Sequence, residues 1–102
     1  MLLKIDTKAD GETLHVTLVG EFDLSSIDAF RDAIEHSDAP WKEAKIDMRD
    51  VVFMDSSGLQ ALVSLNNRAQ ERGLSVTLVR PSHPVARLLE LTGLESQFAV
   101  HG

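Results

Sequence analysis

An amphipathic segment in the second half of the chain constrains the fold most strongly. From Ser57 to about Arg72, small and apolar residues recur at helical spacing, with polar residues opposite. Gly73 follows where a helix commonly ends in a left-handed residue, and residues 74–79 then alternate as a strand does. Alternation of strand, helix and strand predicts right-handed crossovers and a largely parallel sheet. The predicted core stripe of this helix is Gly58, Ala61, Leu62, Leu65 and Ala69.

The other segments continue this alternation of strands and helices. Strand patterns on either side of Asp10-Gly11 predict an antiparallel hairpin. A helix is predicted over about 26–36, and a short strand over 44–48 is followed by a turn at Arg49-Asp50 and an apolar group at Val51–Met54. A last helix is predicted from Ser82 and Pro84 to Gly93, with Val85, Leu88, Leu89 and Leu91 on its apolar side. A last strand is predicted at 97–100. We predict one α/β domain over residues 1–102, with a mixed β-sheet of four to five strands and helices mainly on one face. The other face would carry Thr13, His15 and Thr17.

Composition limits the classes of partner. The net charge of −6 argues against nucleic acid or an anionic membrane surface, since both require a field of Lys and Arg. No apolar stretch is long enough to span a bilayer, and the first residues lack the pattern of a signal peptide. Without cysteine, disulfides and thiolate metal sites are excluded. We therefore expect a cytoplasmic protein that binds a protein or a small molecule.

Two adjacent serines at the predicted start of the long helix raise the question of function. Ser57 and Gln60 match the S-x-x-Q capping box, which predicts that Ser57 begins the helix. Ser56 then has no capping role and stands exposed beside Asp55, near the positive end of the helix dipole. The sequence leaves two interpretations of Ser56: a small polar turn residue or alternative cap, and a hydroxyl with a chemical role.

Several motifs resemble one family in order and at family spacing. Asp55-Ser56-Ser57-Gly58-Leu59, which follows an apolar run, is similar to the D-S-S-G or D-S-T-G motif of STAS domains. Residues 20–23 resemble the family's G-E-L-D element, residues 44–48 its central strand and residues 89–94 its L-x-x-x-G-L element. The chain resembles the bacterial anti-sigma factor antagonists of this family over nearly its whole length. Members commonly continue with another amphipathic helix, whereas this sequence ends at Gly102.

The resemblance implies a phosphorylation switch and no enzymatic activity. The serine directly after the motif's aspartate, here Ser56, is the residue phosphorylated by an anti-sigma factor with serine-kinase activity. The unphosphorylated form binds that anti-sigma factor and releases the sigma factor, which regulates transcription. A PP2C-type phosphatase resets the switch. ATP belongs to the kinase, so the antagonist itself needs no cofactor.

We expect the partner to contact the region around Ser56. Asp23 and Asp55 follow strands that end at the same edge of the sheet, so their carboxylates are expected close together. Leu59 and Val63 flank the core stripe and either form an apolar contact strip or complete the core. Asn66 and Asn67 are expected to supply polar contacts at the rim. The predicted partner-binding set is Asp23, Asp55, Ser56, Ser57, Gly58, Leu59 and Val63.

Other functions are weaker candidates on the sequence. The motifs G-x-S-x-G and S-x-x-K are absent around Ser56, and no pattern ties a histidine to it, which argues against a serine hydrolase. Glu21 and Asp23 fit a solvated loop better than a metal site. Related domains also serve as subunits of ABC-type lipid transport systems or as unphosphorylated stress-signalling scaffolds. Trp41 is either a packing lid or a partner anchor, and a weak homodimer is left open.

Overall fold

The computed structural model describes residues 2–36 and 40–102, which form one five-stranded mixed sheet with three α-helices. The strands are β1 Lys4–Asp10, β2 Thr13–Phe22, β3 Glu43–Met54, β4 Ser75–Val79 and β5 Ala99–His101, and the helices are α1 Ile27–Glu35, α2 Ser56–Glu71 and α3 His83–Thr92. Short 3₁₀ turns cover Leu24–Ser26 and Glu95–Gln97. The strand order is β1-β2-β3-β4-β5, with β1 antiparallel to β2 and the other pairs parallel. The predicted mixed α/β sheet is therefore confirmed.

The first hairpin forms where Asp10-Gly11 predicts it. The turn itself contains only Gly11 and Glu12, because β1 extends to Asp10 and pairs it with Thr13. Gly11 has a φ of +60°, which suits the first central residue of a tight hairpin turn and which a glycine adopts without steric strain.

The central strand β3 differs from the prediction. The sequence predicts two short strands separated by a turn at Arg49-Asp50, but a single strand runs over Glu43–Met54, so the predicted turn is wrong. Two bulges against β2 explain the broken alternation: Thr17 pairs with Asp47 but Val19 pairs with Asp50, and a second shift follows Gly20. Each bulge exposes two consecutive residues, a pattern that imitates a turn in the sequence.

One face of the sheet forms the core and the other is open. Leu14, Val16 and Leu18 of β2 are buried, while His15 and Thr17 between them are exposed. This alternation matches a sheet covered by helices on one side, as predicted.

The helices complete the core from that side. The rings of Phe22 and Phe30 pack at the α1 end with their centroids 4.9 Å apart and their planes inclined at 51°. In α3, Val85 and Leu89 are buried, but Leu91 is 70% exposed, so its assignment to the apolar side is wrong. Gly73 and Gly93 close α2 and α3 with a φ of +71°, as the sequence predicts.

Candidate functional site

The predicted site lies at the edge of the sheet where β2 and β3 end. Phe22 pairs with Met54, and the Asp55 amide donates to the Phe22 carbonyl at 3.4 Å. Asp23 and Asp55 each follow one member of this pair, so the two acids leave the sheet side by side. The expectation that they share one edge is supported by this register.

Asp55 caps α2. Its Oδ1 accepts hydrogen bonds from the Ser57 amide at 2.9 Å and from the Gly58 amide at 3.1 Å. The helix therefore begins at Ser56, and the predicted capping box of Ser57 with Gln60 is wrong. The Ser57 amide already donates to Asp55, which leaves Gln60 no orphan donor to satisfy there.

The two serines occupy different positions in the first turn of α2. Ser56 is exposed, and its hydroxyl has no hydrogen-bond partner within residues 2–36 and 40–102. Ser57, the next residue, is half-buried. Neither hydroxyl forms a hydrogen bond in the described ranges, so it is exposure that makes Ser56 the more accessible of the two to a partner or a modifying enzyme.

Gly58 allows the helix to start in close contact with the sheet. A Cβ at this position would lie 2.4 Å from the Phe22 carbonyl oxygen and 3.0 Å from Cγ of Met54. The first of these atoms belongs to the backbone and cannot rotate away, so any side chain here would push α2 off the end of β2. Gly58 is buried and positions the turn, and its direct contact with a partner stays a prediction.

The apolar flank of α2 divides into core and surface. Leu59 is only 4% exposed and belongs to the core, which is the second of its two interpretations, while Val63 is half-buried and packs against the core from its margin. Asn66 is also buried, and its Nδ2 donates to the Gln97 carbonyl at 2.9 Å, so its predicted place at the rim is wrong. Asn67 remains exposed.

A shallow groove of about 620 Å³ begins at Ser56 and runs between α2 and the end of α3. Its lining residues are Ser56, Leu59, Gln60, Val63, Ser64, Asn67, Arg68, Thr92 and Leu94. The groove thus joins the exposed serine to an apolar margin, which is the combination the partner-binding prediction requires.

Asp23 organises a second aspartate-led turn beside the first. Its Oδ1 accepts from the Ser25 hydroxyl at 2.6 Å and from the Ser25 amide at 3.0 Å, while its own amide donates to Ser26 Oγ at 3.1 Å. Asp23 is therefore the cap of the 3₁₀ turn, and Ser26 stands at the N-cap position of α1 without a side-chain capping hydrogen bond. Hydrogen bonds from the Ser25 hydroxyl and the Ser25 amide favour the charged carboxylate of Asp23. The Ser25 hydroxyl has the largest effect, and the pKa of the Asp23 carboxyl lies below its ordinary value.

Three exposed apolar residues near this edge were not singled out from the sequence. Leu24 is 74% exposed, Val52 is 58% exposed and Phe53 is 47% exposed. Leu24 directly follows Asp23, and the other two belong to the bulged end of β3. The signal was available: four consecutive apolar residues end β3, and in a sheet with one open face they cannot all point to the core.

Alternative site chemistries find little support in the described ranges. Residues 2–36 and 40–102 contain no group of three or more His, Cys, Asp or Glu arranged to hold a metal ion. The helices in the same ranges are all too short or too polar to cross a bilayer.

The sheet, its helices on one face and the aspartate-capped start of α2 together define a STAS-type α/β domain. A family model described as "Mlab, STAS domain" matches residues 5–100, and the chain belongs to the STAS domain family.

Two relatives match nearly end to end. A STAS-domain containing protein of Pseudomonas aeruginosa (strain UCBPP-PA14) is 29% identical over 92 residues, covering 90% of this chain and 91% of that protein. The anti-sigma-B factor antagonist of Bacillus subtilis (strain 168) is 28% identical over 95 residues, covering 93% of this chain and 87% of the relative.

Solved structures of one antagonist share the fold in two chemical states. The unphosphorylated form of the anti-sigma factor antagonist SpoIIAA superposes with a TM-score of 0.79 at 19% identity, covering 99% of this chain and 89% of that one. The phosphorylated form of the Bacillus protein gives a TM-score of 0.74 at 18% identity, covering 99% and 92%. At these identities the likeness supports the fold.

Proposed function

We propose that this chain is an anti-sigma factor antagonist, a single-domain regulatory protein of the cytoplasm that binds its partner while Ser56 is unphosphorylated. The observation that carries the proposal is the state of Ser56: exposed, first in α2 and free of hydrogen bonds within the described ranges, while Asp55 supplies the cap. Relationship to the B. subtilis anti-sigma-B factor antagonist supports the assignment.

A phosphate on Ser56 would add about −1.5 to −2 charge at neutral pH. At a vacant helix start, backbone amides would receive much of that charge. Here the Ser57 and Gly58 amides already donate to Asp55, so the phosphate meets a carboxylate where it would otherwise find free donors. Asp23, whose pKa lies below its ordinary value because of the Ser25 hydroxyl, adds a second carboxylate at the same edge.

The phosphate therefore acts on binding and leaves the fold in place. A neutral hydroxyl can be covered by a partner at little cost, whereas a phosphate beside two carboxylates is costly to desolvate and repels an acidic partner surface. SpoIIAA retains one fold in its unphosphorylated and phosphorylated forms, which is consistent with a switch at the surface.

The partner surface we propose centres on the first turn of α2. Ser56 and the half-buried Val63 supply direct contacts, and Asp23 with the exposed Leu24 extends the surface along the edge. Asp55, Ser57, Gly58 and Leu59 hold this surface in place through capping, close packing and burial. The proposed partners are an anti-sigma factor with serine-kinase activity and a PP2C-type phosphatase.

The test measures binding to the anti-sigma factor and phosphate transfer from ATP for matched serine variants. Ser56→Ala should bind as the unmodified protein does and accept no phosphate. Ser56→Asp should bind at least about tenfold more weakly, since like charges brought together at an interface cost more than the 1.4 kcal/mol that a factor of ten represents. Ser57→Ala is the control one residue away and should still be phosphorylated.

Two results would contradict the proposal. One is phosphate incorporation into Ser56→Ala together with normal binding by Ser56→Asp, which would move the switch elsewhere. The other is capture, by the unmodified protein, of an ABC-type ATPase and no kinase-like anti-sigma factor, which would favour a subunit of a lipid transport system.

A further inference from the structure

A second groove, of about 600 Å³, lies between α1 and α2; it shares Ser64 and Arg68 with the groove at Ser56 but does not include Ser56 itself. Its floor is apolar and is formed mainly by Phe30, Ile34, Trp41, Ala61, Leu65 and Ala69. Along α2 the groove extends from Ala61 to Arg72, a span of about 16 Å at 1.5 Å per helical residue. These dimensions suit a small elongated molecule, since pockets for such ligands commonly enclose about 300–1,000 Å³.

The rim of this groove is cationic on a protein whose net charge is −6. Arg31, Arg68 and Arg72 line it together with one acid, Glu35. Arg68 and Glu35 neutralise each other in an ion pair of 3.0 Å that joins the two helices. Within residues 2–36 and 40–102 the guanidinium groups of Arg31 and Arg72 form no ion pair or side-chain hydrogen bond.

We propose that this groove binds a free fatty acid, with its carboxylate at the arginine rim and its alkyl chain along the apolar floor. Two unpaired guanidinium groups select an anion, and the floor beneath them selects an apolar chain, so one ligand must carry both. Inorganic anions would leave the floor uncovered, and a neutral lipid would leave the arginines unused. A free fatty acid satisfies both halves of the groove with one molecule.

Trp41 provides a direct reporter of occupancy. It is the only tryptophan in a chain without tyrosine, it lines the groove, and it is half-buried. Titration with dodecanoate below its micelle concentration should give a saturable change in Trp41 emission with one site per chain. Dodecan-1-ol, which has the same chain without the charge, should bind at least about fivefold more weakly because it lacks a charge-assisted contact.

Substitutions at the rim test the charge directly. Arg31→Gln with Arg72→Gln should weaken dodecanoate binding about tenfold and leave dodecan-1-ol unaffected, because only the charged headgroup uses the guanidinium groups. Both arginines are exposed, so the fold should persist, and far-UV circular dichroism checks this. Arg87→Gln, on an exposed arginine of α3 outside the groove, is the matched control and should bind dodecanoate normally.

The proposal is overturned if emission changes without saturation, if the alcohol binds as tightly as the acid, or if the double arginine variant binds dodecanoate normally. An acidic helical peptide that saturates the groove while dodecanoate does not would also overturn it. Ala61→Phe, which fills the floor, gives a second check, since it should block dodecanoate while leaving phosphorylation of Ser56 intact.

Discussion

Two aspartate-led turns leave neighbouring strands at one edge of the sheet, and they use the same chemistry to different ends. Asp23 Oδ1 accepts from the Ser25 amide and Asp55 Oδ1 from the Ser57 amide, each two residues ahead. At the first turn Asp23 also accepts from the Ser25 hydroxyl. At the second turn the carboxylate takes a further amide, that of Gly58, and the hydroxyl of Ser56 stays free in the described structure.

The difference explains why one turn suits a switch and the other does not. In the Asp23 turn both serine hydroxyls are hydrogen-bonded, and Ser26 is only 5% exposed. A kinase acting there would first have to break those bonds. In the Asp55 turn the aspartate satisfies the backbone alone, which leaves Ser56 both accessible and dispensable to the fold.

The largest expected effect comes from the glycine that pins the second turn. Gly58→Ala should lower the free energy of unfolding by about 3 kcal/mol, because the new Cβ would lie 2.4 Å from a backbone oxygen of β2. Urea denaturation measures it. The control is Gly73→Ala, where a Cβ meets nothing within 4 Å but a φ of +71° still costs about 1–2 kcal/mol. Equal losses at both positions would mean that close packing at Gly58 does not matter.

The next largest effect is the difference in stability between removing the Asp55 cap and removing the Asp23 cap. Asp55→Ala should destabilise the protein by about 1–2 kcal/mol, because two amides of a long helix lose their acceptor. Asp55→Asn keeps an acceptor oxygen and is the matched control, expected to lose much less. Asp23→Ala should cost less than Asp55→Ala, since it caps a 3₁₀ turn of three residues. Urea denaturation of all three variants gives the order, and a larger loss at Asp23 would reverse the comparison.

The elements at this edge of the sheet could largely be predicted from the sequence, because alternating and helical periodicities show where each strand ends and which turn follows it. The start of α2 could not, since S-x-x-Q and the aspartate two residues earlier both fit a cap locally. The contact of Gly58 with the Phe22 carbonyl holds the first turn against β2, and this contact is tertiary. The burial of Asn66 could not be predicted either, because it depends on a tertiary contact: its hydrogen-bond partner, Gln97, is 31 residues away in the sequence.

The pH dependence of the first turn sharpens the comparison further. The pKa of Asp23 lies below its ordinary value of 3.8 when folded, so the folded state favours the carboxylate. The stability this contributes is present above the unfolded pKa and disappears as the pH falls through the folded pKa. Asp23→Ala should therefore differ from the unmodified protein at neutral pH and converge with it in strong acid. NMR titration of the Asp23 carboxyl checks the direction, and a raised pKa would contradict it.

The smallest expected effect tests which residue caps α2. If Asp55 alone supplies the cap, Gln60→Ala should change the free energy of unfolding by no more than about 0.5 kcal/mol, as other exposed helix substitutions do. A capping box of Ser57 with Gln60 would instead make both Ser57→Ala and Gln60→Ala costly, each by about 1 kcal/mol. Gln70→Ala, an exposed glutamine near the other end of α2, is the matched control. If Gln60→Ala and Gln70→Ala lower the free energy of unfolding by equal, small amounts, Asp55 is the cap and Ser56 has no structural role. If Gln60→Ala alone destabilises the protein, Ser57 begins the helix, and the two aspartate-led turns no longer differ in this respect.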